Sequence, residues 1–243
     1  MKLSYIGLML NQDEDLQHSK IKKGAEFEAF FKEFLLNPNK NLDTSGDEFG
    51  FHNRFIGNYL SRKLKESKVE TINIKRIILI GYLNEFNEDS LFESSLRIFV
   101  PFNKVQYDIL KKDELPDFFI EMYKTGIIKA SQTHEVPVEF LLTKLVEFKE
   151  NNYKNEWEFK SKTFKEIGIK ATLFCKMTMD FFSLTLVLTK KNEVVFTKEI
   201  LNTLPDEIIY HWQFKDIILE NNEIKVLNEF KDPIYTLDLS FKV

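Results

Sequence analysis

Glycine, cysteine and tryptophan are all scarce in this chain: its 243 residues include 8 Gly, 1 Cys and 2 Trp. Glycine stands at about 3%, less than half its usual share of about 7%. No GxxxxGK[ST], GxGxxG or GxSxG spacing occurs, so the loops that cradle phosphates or expose a nucleophilic serine are excluded. The lone Cys175 excludes an intramolecular disulfide and any Cys-rich zinc site. It falls on the apolar face of a predicted strand, where a thiol is expected to be buried and inert.

Histidine is sparse too. His18, His52, His134 and His211 stand singly, without HExxH or HxH spacing, so no metal-ligand pattern is present and no cofactor is expected. Long apolar runs are missing as well. The longest candidate, TLFCKMTMDFFSLTLVLT, is interrupted by Lys176 and Asp180, so no unbroken apolar run approaches the roughly 18 residues that span a bilayer. The start, MKLSYIGLMLNQDED, is apolar only from Tyr5 to Leu10 and lacks a small-residue cleavage site, which does not suit a secretory leader. The expected location is the cytoplasm, with no membrane partner. There is no basic excess: 34 Lys and Arg against 38 Asp and Glu give a net charge of -4. Nonspecific nucleic-acid binding draws on Lys and Arg neutralising phosphates, so this balance disfavours it.

What the chain has in quantity is phenylalanine, 24 residues against 8 Tyr. This is apolar bulk without a hydrogen-bonding handle, suited to core packing. Together with abundant Lys, Asn and Ile it also matches coding from an AT-rich bacterial genome.

Periodicity supplies the fold class. Residues 3–10 read as a strand. In GAEFEAFFKEFLLNP, Phe27, Phe30, Phe31, Phe34 and Leu35 form one helical stripe. FHNRFIGNYLSRKLKES gathers Phe51, Phe55, Tyr59 and Leu60 on one side of a second helix. TINIKRIILIGYL and SSLRIFVPF, separated by the turn-prone NEFNEDS, predict a pair of strands, one of them central. Pro116 and Gly126 are expected to open and close a helix, and Pro137 to open another through Leu141, Leu142 and Leu145.

From Glu156 onward the period becomes two. Ile169, Ala171, Leu173, Cys175, Met177 and Met179 share one face. SLTLVLT, VVFTK, the hairpin DIILENNEIKVLNE and PIYTLDLSF extend the meander. The prediction is α+β: amphipathic helices with a mixed strand pair over 1–150, and a mainly antiparallel β-meander over 151–243, as two regions or one continuous domain.

The segment NLDTSGDEFGFH, residues 41–52, places Asn41, Asp43, Ser45 and Gly46 at positions 1, 3, 5 and 6 of a calcium loop. Position 12 is His52, which cannot supply a bidentate carboxylate to a hard cation. A polar connection between helices is the better reading, with Asp47 or Ser45 as a helix cap.

Two features suggest a partner surface. Arg54 and Arg62, with Lys63 and Lys65, give the second helix a basic face, and the acidic pair Asp47 and Glu48 precedes it beside His52. The other feature is the aromatic cluster of Tyr210 and Trp212. The expected function is a protein-binding protein without catalytic activity, of the kind an acidic bacterial immunity or antitoxin protein represents, with the partner unidentified. The alternative is a hydrolase or nucleic-acid-processing enzyme with Asp47, Glu48, His52 and Arg54 converging in a cleft. A small-ligand carrier built on the C-terminal sheet is a third reading, and it requires a large apolar cavity.

Overall fold

A computed structural model describes residues 1–11, 48–83 and 88–240. It shows the α+β class, with contacts dividing the chain into two compact units, Met1–Asn151 and Asn152–Val243. The stripe at 27–35, residues 41–47 of the polar segment and part of the NEFNEDS turn lie outside the described residues.

The first unit holds a four-stranded mixed sheet of β1 (Tyr5–Leu10), β2 (Arg76–Tyr82), β3 (Ser90–Phe92) and β4 (Ser95–Pro101). The strand order is β1-β2-β4-β3. β1, β2 and β4 run parallel, and the short β3 pairs antiparallel with β4. β2 is central, and past Arg76 its side chains are buried on one face and half-buried on the other, which accounts for its nearly continuous apolar run.

The helices are α1 (Glu48–Ser67), α2 (Lys104–Ile109), α3 (Leu115–Thr133) and α4 (Val138–Glu150). Phe55, Tyr59 and Leu60 of α1 are buried as their spacing predicts, with Leu141, Leu145 and Phe148 of α4. Tyr59 stacks on Phe148 at 4.2 Å between ring centroids.

Pro116 lies in the first turn of α3, but Gly126 does not end it; the helix continues to Thr133. A Cβ at Gly126 would come within 2.6 Å of Leu79 Cδ2. The glycine is there for close packing of helix on strand, not for a cap.

Side chains bond to main-chain groups at the outer edge of β1 and on the part of β4 that β3 does not reach. The main chain of Ile6 in β1 bonds to Ser61, whose hydroxyl accepts from the amide at 3.1 Å and donates to the carbonyl at 3.3 Å. Next to it the buried Tyr123 hydroxyl donates to Asn53 Oδ1 at 3.4 Å and accepts from the Leu8 amide. On β4, beyond the reach of β3, Asp89 accepts from the Phe99 amide at 2.8 Å. Lys129 donates to the Phe99 carbonyl at 2.8 Å and pairs with Asp89 at 2.9 Å. Unpaired strand edges invite association, and these contacts occupy part of them.

The second unit contains two antiparallel meanders. One comprises β5 (Glu156–Phe164), β6 (Ile169–Met177), β7 (Phe182–Lys190) and β8 (Glu193–Thr203); the other comprises β9 (Asp216–Glu220), β10 (Glu223–Leu227) and β11 (Pro233–Asp238). Ile169, Ala171, Leu173, Cys175 and Met177 are buried on one face of β6, as alternation requires. Met179 falls past the strand and is half-buried. The Asn221–Asn222 turn adopts positive φ at both positions, 51° and 62°, the conformation of a two-residue hairpin turn. Where β5 and β9 meet, Lys162 donates to the Ile217 carbonyl at 2.9 Å, and Lys160 pairs with Asp216 at 2.8 Å. The hydrogen bond from Lys160 holds the Asp216 carboxyl below the ordinary aspartate range.

β8 ends the first meander and breaks register with β7 twice, leaving Val195 and Ile200 without direct partners. Lys198 stands opposite the buried Leu186. Bulges and a charge on the core side are devices that discourage edge pairing.

Candidate functional site

The sequence-named residues do not form one cluster. Asp47 is outside the described residues, and Glu48 starts α1. His52 is half-buried with Nδ1 3.4 Å from the Tyr107 hydroxyl, while the Arg54 guanidinium lies 4.7 Å from the Phe51 ring centroid. Two residues apart on a helix, His52 and Arg54 project about 200° apart. Arg62 pairs with Glu66 at 3.3 Å. Among the described residues no group of three or more His, Cys, Asp or Glu could hold a metal ion, and no helix is long and apolar enough to cross a membrane.

The second aromatic feature has a definite geometry. A single helical turn, α5 (Glu207–Tyr210), begins at Asp206, whose carboxylate accepts from the Ile208 amide at 2.9 Å. Tyr210 is 4% exposed and stacks on Phe182 at 3.6 Å. Phe214 lies beside Phe182, 5.6 Å from it and 6.2 Å from Tyr210 between ring centroids, with the three rings nearly parallel. Tyr210 is therefore a core residue and presents no ring to a partner, correcting its expected surface role. The physical cause is packing: one ring face is covered by Phe182, and the hydroxyl reaches the buried Met177 sulfur at 3.8 Å.

Trp212 is half-buried, and beside it is a residue that periodicity did not single out. Phe230 is 69% exposed and sits 6.2 Å from Trp212 between ring centroids. Its loop is tightly bonded. Asn228, itself buried, accepts through Oδ1 from the Phe230 amide at 2.9 Å and from the Asp232 amide at 2.8 Å. The Asn228 amide donates to the Asp232 carbonyl at 2.9 Å, and the Glu229 amide to the Trp212 carbonyl at 3.0 Å. Lys215 pairs with Glu229 at 3.1 Å, bridging the two segments. Ile208, one helical turn before Trp212, is 63% exposed.

The result is an aromatic and aliphatic surface on a rigid backing. It offers dispersion and apolar area, with neither a nucleophile nor an acid/base pair among Ile208, Trp212 and Phe230, so binding is the chemistry it can perform. The signal for Phe230 was in the sequence: one large apolar residue inside NEFKDP, a segment otherwise made of turn formers and charges.

No protein-family model, curated protein or solved structure matches this chain.

Proposed function

We propose that the chain is a non-catalytic protein-binding protein, an inhibitor of immunity or antitoxin type, that engages its partner through Trp212, Phe230 and Ile208. The observation that carries this reading is Phe230, a large apolar side chain 69% exposed on a loop whose backbone is fixed by Asn228. Ordering a flexible loop opposes association, and a loop already held by its own hydrogen bonds avoids most of that cost. Trp and other aromatics that fill a partner's pocket supply a disproportionate share of interface energy. The net charge of -4 suits a basic partner.

The test is purification of the tagged full chain from its native host, beside Phe230→Asp. The wild type is expected to retain one protein in stoichiometric amount, and the variant to lose it while unfolding at an unchanged temperature. Equal retention by both chains, or no stoichiometric partner for the wild type, would sink the reading.

A further inference from the structure

We propose that the first unit carries a docking surface of its own, a groove beside α2 that takes a cationic amphipathic segment of a partner protein. This inference does not rest on the roles of Trp212 and Phe230.

The groove has a volume of about 530 Å³ and runs between α2 and the first half of α3. Pro101, Leu110, Phe118 and Met122 supply its apolar lining. Its charged lining is entirely acidic: Asp113, Glu114, Asp117 and Glu121, with Lys111 and Lys112 of the same connection absent from it. Glu114, Asp117 and Glu121 follow one another at i, i+3 and i+7, so one helical stripe carries three carboxylates, and Phe118 and Met122 run alongside at i and i+4. Asp117 pairs with Lys149 at 2.8 Å and Glu121 with Lys124 at 3.5 Å, all four side chains about half exposed or more. Exposed pairs of this kind are worth about 0–1 kcal/mol, so an incoming cation exchanges with them readily.

Carboxylates alone would suit a metal ion or a polyamine equally well. What selects a peptide is the neighbouring face of α2. Val105 and Ile109, four residues apart, are 75% and 76% exposed. They are not on a loose segment. Asn103 caps the helix by accepting from the Gln106 amide at 3.0 Å, and Tyr107 packs against Phe49, Phe102 and Phe118 at 5.5–5.8 Å. A fixed apolar stripe beside an acidic groove complements a helix with Leu or Ile on one face and Lys or Arg on the next.

The experiment titrates the full chain with a helical Leu/Lys peptide, a sequence-scrambled peptide of the same composition, spermine and calcium chloride. The helical peptide is expected to bind at least about tenfold more tightly than the scrambled one, with affinity falling as salt rises. Asp113→Asn with Glu121→Gln, and separately Val105→Asp with Ile109→Asp, are each expected to weaken it by about tenfold or more, at unchanged thermal unfolding. Phe230→Asp is expected to leave it unaltered. Equal binding of the scrambled peptide, spermine or calcium would overturn the proposal, as would indifference to the paired variants, loss of binding in Phe230→Asp, self-association through the groove, or no binding of any probe.

Discussion

Ser61 and Tyr123 each spend a hydroxyl on the main chain of β1, at Ile6 and Leu8. Removing one partner of a buried hydrogen bond leaves the other unsatisfied, at about 1–3 kcal/mol. Ser61→Ala, which strands both polar groups of Ile6, is expected to lower unfolding free energy by that amount in urea titrations. Asp216 provides the pH-dependent counterpart. Its folded pKa is depressed, first by the hydrogen bond from Lys160 and further by the Ile217 amide. The stability it contributes is therefore complete above the unfolded aspartate value of about 3.9 and is lost as pH falls through the folded value. Lys160→Met is expected to flatten the acid limb of a stability–pH curve below about pH 4; an unaltered limb would show that the pairing carries no such linkage. Cys175 and the β6 alternation were readable at this scale because burial follows side-chain period. Tyr210 was not, because a ring at a surface and a ring in a stack have the same local sequence.

Elements with strong periodicity or turn chemistry were legible: β6, α4 and the Asn221–Asn222 hairpin follow from residue spacing alone. The single-turn α5 and the six-residue α2 were not, since neither is long enough to show a helical period, and α2 buries none of its residues. Gly126 misled because a helix-stopping glycine and a close-packing glycine differ only in what lies opposite. Gly57 is a second packing glycine: an added Cβ would lie 2.8 Å from the Tyr123 hydroxyl and 3.0 Å from the Ile6 carbonyl. Gly57→Val is expected to cost about 1–3 kcal/mol by overpacking α1 against β1, measurable as a lowered urea midpoint. At β8 the expectation concerns association. Lys198 faces the same side as Leu186, so Lys198→Val removes a charge that discourages edge pairing. Sedimentation at high protein concentration should show self-association of the variant beyond wild type, and identical profiles would assign the protection to the bulges alone.

At the scale of the molecule, the two units each bury an apolar core, around Leu79, Phe119 and Phe148 in the first and Leu173, Phe182 and Ile217 in the second. The α+β class was legible because helix periods end near Glu150 and strand alternation begins at Glu156. The residues of the proposed partner surface differ in how visible they are in the sequence. Trp212 stood out by its rarity, whereas Phe230 is one of 24 phenylalanines and is marked only by its setting among the turn formers and charges of NEFKDP. Phe92 is the informative control, because it is 65% exposed on β3 and nothing in the reading gives it a role. The most direct test is the Kd of the co-purified partner for wild type, Phe230→Ala and Phe92→Ala. Truncation of an interface anchor costs about 2 kcal/mol or more, so Phe230→Ala should weaken binding by about thirtyfold or more while Phe92→Ala binds as wild type; equal affinities for all three chains would contradict the proposed surface.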